Sequence, residues 1–484
     1  DMVAGVIVTV MLIPQSLAYA LLAGLPPEVG LYASILPIIA YAALGSSMTL
    51  AVGPVAVASL MTASALQPLA AAGSPDYVAL AMLLSLLSGG MLLLFGVLRL
   101  GFLAHFLSHP VISGFISGSA VLIAVGQIKH LLGVKAGGND VLDTVVQLAH
   151  AAPGTNLVTL GIGAGSVLFL VLARKSLSPW LVRLGASPRL ADIASKLAPM
   201  LAVMVSTTLV AAMRWDQTAG VSIVGTVPQG LPQLGLPAVS MASVGSLWLP
   251  ALLISLVGFV ESVSVAQSLA LKRQQRIQPN RELLGLGAAN VASALSGGFP
   301  VTGGFARSVV NFAAGANTPL AGVISAVLMG VVIAALTGLF HYLPHAVLAA
   351  TIIVAVVSLI DVETLREAWH YDKADAMALV ATAGGVIAFG VEVGILMGVA
   401  LSLGTLVWRS SHPHIAVVGR VPGTEHFRNV ARHTVTTEPS LIAVRVDESL
   451  YFANSDALLD RVEELVAAQP DTRHVLLVCT DINQ

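Results

Sequence analysis

Long apolar runs, broken by glycine, proline and short charged clusters, fill the chain up to Trp408, and the pattern changes at Arg409. Apolar runs that read as membrane spans lie at about 2–22, 29–44, 77–98, 109–132, 157–172 and 199–213 in the first half. In the second half they lie at 247–271, 283–295, 320–336, 344–360, 374–389 and 391–408. Pro14-Gln15-Ser16 interrupts the first run, and Pro26-Pro27 turns the chain after it. Two further stretches are only half as long. Thr49–Pro54 reads as a short extended piece ahead of a helix over Val55–Leu66, and Phe299–Thr302 leads in the same way into a helix over Gly304–Ala314, because proline and glycine block regular helix before each. The count is fourteen elements, seven in each half. Broken helices at corresponding places of two halves point to an inverted-repeat transporter with its site between them.

After Arg409 charges become frequent. Leu441–Val446, Leu450–Phe452 and His474–Cys479 read as strands and Asp456–Ala468 as an amphipathic helix, the beginning of an α/β domain that is not finished at Gln484. Asp1 is not an initiator methionine, so further residues are expected at both ends.

The chemistry concentrates at Gly297–Asn311, where four glycines, a proline and an arginine sit among apolar segments. A helix that starts inside a membrane leaves its first amides unpaired and carries the positive end of its dipole there, which makes an anion site. Arg307, one turn in, opposes that dipole unless a negative partner is near; the alternative is a cation bonded to carbonyls of a neighbouring helix end. The backbone amides at Val55 and Ala56 of one half-helix, and at Gly304, Phe305 and Ala306 of the other, are the candidate anion ligands. Gln15 offers an amide donor to an oxyanion, or else satisfies the carbonyl that Pro14 frees. Tyr19, one turn on, is a pocket or a packing residue. Glu261 lies in mid-run, where a charge costs roughly 3 kcal/mol or more. It reads as a protonatable coupling group or as the partner of Arg307 in a fixed salt bridge.

Composition narrows the class. Of 484 residues 56% are hydrophobic and only 10% charged, with mean hydropathy +0.89, against roughly 25% charged in soluble domains. This is a polytopic membrane protein. The net charge of −2 gives no nucleic-acid footprint. The single cysteine, Cys479, precludes disulfides within the chain, and the twelve histidines show no metal-ligand spacing. Walker, dinucleotide and triad patterns are absent, so the chain does not read as an enzyme and calls for no cofactor. Arginines and lysines cluster after the fourth, sixth, eighth, twelfth and last elements. One side of the membrane therefore collects them, and both termini are expected to be cytoplasmic.

Pro14–Ala20 with Gly24–Tyr32, Thr302–Arg307 through Asn311, and Ala316–Pro319 resemble the SulP (solute carrier 26) anion transporters; Phe452–Ser455 and Val478–Asn483 resemble the start of their appended STAS domain. The resemblance implies an all-α polytopic membrane protein with 14 transmembrane segments in a 7+7 inverted repeat, plus a partial cytoplasmic α/β STAS domain. It implies a transporter domain over 1–408, with a core (about 1–98 and 247–336) and a gate (about 103–213 and 340–408), then a linker and incomplete STAS domain over 409–484. It also implies an anion pocket between the two half-helices, a homodimer, elevator-like movement of core against gate, and a cytoplasmic regulatory partner for the STAS domain. Two positions depart from animal members, which commonly carry serine where this chain has Ala306 and lack a carboxylate at Glu261.

The expected function is secondary-active, proton-coupled symport of a small oxyanion or carboxylate such as sulfate, bicarbonate or fumarate, in the inner (plasma) membrane, with protons as coupling ion. An uncoupled channel or exchanger of the same family and a nucleobase permease of the same architecture are the alternatives.

Overall fold

In the computed structural model the described residues are all except 106–108, 139–140, 186, 238–239, 372, 453 and 480–484. Two compact units divide the chain, Asp1–Val399 and Ala400–Gln484. The first half of unit 1 runs α1 (Met2–Leu22), α2 (Pro27–Tyr32), α3 (Leu36–Leu44), β1 (Val52–Gly53), α4 (Ala56–Leu66), α5 (Pro75–Val97) and α6 (His109–Leu132), then α7 (Val141–Ala151), α8 (Leu157–Leu172), α9 (Ser178–Arg183), α10 (Pro188–Lys196), α11 (Ala198–Met213) and α12 (Trp215–Thr218). The second half runs α13 (Met241–Leu271), α14 (Pro279–Leu295), β2 (Thr302–Gly303), α15 (Phe305–Ala313), α16 (Leu320–Ala335), α17 (His345–Val357), α18 (Val362–Tyr371), α19 (Lys373–Phe389) and α20 (Val391–Ser411). Each of the fourteen stretches contains helix. Eight spans among the described residues are long and apolar enough to cross a membrane, and α4, α11 and α16 are shorter apolar helices.

Two local expectations change. Helix α1 continues through Pro14 without a break, since helices packed around it shield the backbone that the proline frees. The run at 29–44 is instead split between α2 and α3. Pro37, in the first turn of α3, has no amide to extend the helix of α2, Ile35 leaves helical geometry there, and Ser34 Oγ turns back to the Gly30 carbonyl at 2.8 Å.

Within unit 1, first-half helices pack on second-half helices. Helices α1, α3, α4 and α5 lie against α13 to α16, while α6, α8 and α11 gather with α17, and α19 lies on α6. The tightest seam is α5 on α14. A Cβ at Gly89 would come within 2.8 Å of the Gly287 carbonyl, and one at Gly287 within 2.8 Å of the Leu93 amide. Small residues let membrane helices meet backbone to backbone.

Unit 2 holds a four-stranded sheet in the order β4-β3-β5-β6: β3 (Ile415–Arg420), β4 (Phe427–Asn429), β5 (Leu441–Val446) and β6 (His474–Val478), with α21 (Ser455–Ala468) between the last two. Parallel β5 and β6 joined through α21 form a βαβ unit, with Ile442, Val444, Val446 and Leu458 as its buried core. Leu450–Phe452 forms no strand. Asn454 accepts from the Tyr451 amide at 2.9 Å and donates to the Ser449 carbonyl at 3.0 Å, closing a turn there. Ala453 and positions 480–483 of the STAS-like motifs lie outside the described residues.

Candidate functional site

Two dipeptide strands organise the site. Strands β1 and β2 pair antiparallel, Val52 opposite Gly303 and Gly53 opposite Thr302, and the Gly304 amide adds a bond to the Ala51 carbonyl at 3.0 Å. Helix α4 begins three residues after β1 and α15 two residues after β2. Because the strands are antiparallel, α4 follows from one end of this short ladder and α15 from the other, so the starts of both helices lie beside it. Neither helix has a side-chain N-cap, so first-turn amides of both remain available and both dipoles are positive there.

Side chains lock this crossing. Ser308 Oγ accepts from the Ala51 amide at 2.9 Å and donates to the Gly304 carbonyl at 2.7 Å, and Asn311 Nδ2 donates to the Thr49 carbonyl at 3.0 Å. Asn290 on α14 clamps Val301 at both backbone groups, by 3.0 Å from the amide and 2.9 Å to the carbonyl. Ser262 Oγ accepts from the Gly303 amide at 2.9 Å and lies 2.6 Å from Thr302 Oγ1.

Arg307 is 2% exposed. Its Nη1 donates to the Pro54 carbonyl at 2.7 Å, while Nε and Nη2 have no hydrogen-bond partner among the described residues. These two form one edge of the guanidinium, the edge that binds an oxyanion through parallel N–H bonds. A Cβ at Gly304 would stand 3.0 Å from Nη2, and one at Gly53 3.3 Å from it. Gly304 therefore admits the folded-back arginine. Gly303 serves packing, since a Cβ there would meet Leu50 Cδ1 at 2.7 Å.

The other candidates converge from two helices. Both α1 and α13 pack against α4 and against α15. Gln15 and Tyr19 stand one turn apart on α1, Glu261 on α13, and Tyr19 and Glu261 both lie near Arg307. Glu261 and Arg307 form no salt bridge here, and the side chains of Gln15, Tyr19 and Glu261 make no hydrogen bond among the described residues. Gln15 does not hold the carbonyl that Pro14 frees.

The two helix starts differ. Phe305 is 50% exposed and Ala306 is exposed, whereas Val55 and Ala56 are 6% and 5% exposed. The start of α15 is open in this conformation and that of α4 is covered.

Sequence reasoning missed the supporting residues Ser262 and Asn290 and gave Thr302 no role of its own. In an apolar helix a serine or asparagine reads as self-satisfied on its own preceding turn, and the spacing to Val301 or Gly303 shows only in three dimensions.

The sulfate permease family model matches residues 1–382. The chain is 37% identical to the chloroplastic sulfate transporter 4.1 of Arabidopsis thaliana over 97% of its length and 67% of that protein. It shares the fold of the murine solute carrier 26 member A9 anion transporter, solved in an inward-facing state, with a TM-score of 0.88 at 21% identity, covering 100% of this chain and 81% of that one. The transmembrane domain of a cyanobacterial bicarbonate transporter, BicA, matches with a TM-score of 0.68 at 26% identity over 82% of this chain and 96% of its own. The chain is thus a multi-pass membrane protein and belongs to the sulfate permease (SulP/SLC26) family of anion transporters.

Proposed function

We propose that this protein is a secondary-active transporter that carries a small oxyanion, sulfate foremost, with protons as the coupling ion. The observation that carries this reading is the β1–β2 ladder, which sets two uncapped helix starts beside one short sheet, with an Arg307 edge that has no partner among the described residues. A dianion there meets backbone amides, two positive dipole ends and a guanidinium. Gln15 and Tyr19 shape the pocket from α1, and Glu261, free of a fixed ion pair, takes up the coupling proton. Sulfate is the substrate in the Arabidopsis relative's name and bicarbonate in that of BicA; fumarate remains a candidate on charge and size.

The two packing groups in unit 1 support a core (about 1–98 and 247–336) that moves as an elevator against a gate (about 103–213 and 340–408), related as a 7+7 inverted repeat. The βαβ sheet of unit 2 is read as the first part of a cytoplasmic STAS domain that serves a regulatory partner. Both termini lie in the cytoplasm, the protein is a homodimer in the inner (plasma) membrane, and no cofactor takes part.

Labelled sulfate uptake into proteoliposomes tests the reading. Uptake is expected to rise under an inward proton gradient and to bring protons with it. Flux indifferent to the gradient would assign uncoupled conduction or exchange, and uptake unaffected by competing fumarate or bicarbonate would narrow the substrate to sulfate.

A further inference from the structure

We propose that the link between α13 and α14 is a bracket that sets the spacing of the two half-helices, with Glu282 the positioning residue for α4 and Arg273 for α15. The inference rests on the anion site proposed above. Glu282, in the first turn of α14, is 0% exposed. Its Oε1 accepts from the Ser46 amide at 2.8 Å, Ser46 Oγ at 2.6 Å and the Ser47 amide at 3.0 Å, and its Oε2 from Tyr41 Oη at 2.7 Å. Buried carboxylates are held by such donors, and these donors belong to the turn that leads into β1. The turn passes the constraint on. Ser47 Oγ accepts from the Leu50 amide at 3.1 Å, two residues before β1, and Ser46 Oγ accepts from the Gln278 amide at 3.1 Å, within the link itself.

Nine positions before Glu282, Arg273 grips the far end of the other half-helix. Its Nη1 donates to the Ala316 carbonyl and, at 3.2 Å, to Asn317 Oδ1, while Nη2 donates to the Phe312 carbonyl at 3.3 Å. The guanidinium also lies 4.4 Å from the centre of the Phe312 ring. A cation at a helix C-terminus satisfies carbonyls the helix leaves unpaired and complements the dipole. One short connector thus places a carboxylate at the entry to α4 and a guanidinium at the exit from α15. Amide donors recognise an anion only when held within a fraction of an ångström, so the bracket controls affinity although neither residue touches the anion.

The test is labelled sulfate uptake by reconstituted protein, with melting temperature measured alongside. Glu282→Leu leaves the Ser46 and Ser47 amides without their acceptor. It is expected to raise KM about fivefold while the saturated rate stays within about twofold. Glu282→Gln keeps a carbonyl for those amides while Tyr41 Oη turns to accept from the new NH2 group, so KM is expected within about twofold of the parent. A charge or proton-coupling role would make Gln as damaging as Leu. Gly118→Ala, between α6 and α19, serves as a destabilised control; its Cβ would come within 2.8 Å of the Ala383 carbonyl, lowering the melting temperature with KM held. The bracket is overturned if Glu282→Leu keeps the parent KM, if Gln falls with Leu, or if the control raises KM equally. Should Glu282→Leu fail to fold, Arg273→Met decides: a raised KM supports the bracket and an unchanged KM overturns it. Arg307→Gln separates the layers. Unaltered uptake there refutes the anion site itself, whereas lost uptake there with a normal KM in Glu282→Leu refutes the bracket alone.

Discussion

Arg307 on α15 donates from Nη1 to the Pro54 carbonyl, 2.7 Å away, at the break just before α4. A side chain of one half-helix thereby ties down the entry to the other, across 253 positions of sequence, and its remaining N–H edge has no partner among the described residues. The charge proposed to attract an anion is also a strut of the site.

Replacing Arg307 tests both roles. Arg307→Lys keeps the charge but offers a point donor in place of the fork. Sulfate uptake is expected to fall about tenfold or more, corresponding to roughly 1.4 kcal/mol or more. Arg307→Gln is expected to abolish uptake at normal membrane abundance. Uptake at the parental level in either variant would remove the guanidinium from the account.

Gly304→Ala puts a methyl group 3.0 Å from Arg307 Nη2 and is expected to cost about 1–3 kcal/mol in stability together with most of the uptake. Gly90→Ala, on α5, meets nothing within 4 Å. It should leave uptake intact and raise stability by up to about 1 kcal/mol. Thermal unfolding in detergent with parallel uptake assays checks the pair.

Glu261→Gln keeps the shape of the side chain and removes its proton exchange. The parent protein is expected to take up sulfate faster as the outside is acidified, by mass action on the coupled proton. The variant is expected to lose that gradient dependence while sulfate binding persists. A variant that still follows the proton gradient would place coupling elsewhere.

Asn290→Ala removes both bonds that hold Val301, as well as the bond from Nδ2 to the Leu286 carbonyl at 2.9 Å. It leaves buried backbone groups of Val301 unpaired, at a cost of about 2–4 kcal/mol. Hydrogen exchange should show β2 opening more readily than α14.

In unit 2, Asp447 just after β5 accepts from Arg445 Nε at 2.6 Å and lies 2.8 Å from His414 Nδ1, just before β3. The bond from Arg445, with a smaller contribution from His414, holds its carboxyl below the usual range. A depressed folded-state value adds stability that is present above the unfolded-state value and is lost as pH falls through the folded one. Asp447→Asn is expected to cost at most about 1 kcal/mol at neutral pH, since the pair is partly exposed. The difference from the parent should vanish in acid, and exchange protection of β3 and β5 measured across pH reads it directly.

Hydropathy was enough to locate the apolar helices, because the bilayer demands length and apolarity from each crossing independently, but not the unbroken passage of α1 through Pro14 or the split between α2 and α3. The two half-helices were equally legible. Gly53-Pro54 and Gly303-Gly304 interrupt helix locally, and an arginine in an apolar run has few explanations. The helix in the tail followed from its amphipathic pattern, and the strands at 441–446 and 474–478 from short runs of strand-forming residues, whereas Leu450–Phe452 was misjudged because the side chain of Asn454 won over strand propensity. Other features depended on residues far apart in sequence. Nothing local to Val52 specifies Gly303 as its partner, and Glu282 reads in isolation as an ordinary acid in the first turn of a helix. The open start of α15 and the covered start of α4 likewise depend on which helices pack over each. Local sequence determines where a chain crosses and where it must break, because those are properties of each segment in its solvent. Only tertiary structure decides that two broken segments share one ladder, one arginine and one bracket, because that arrangement joins groups that pair only once the segments between them have packed.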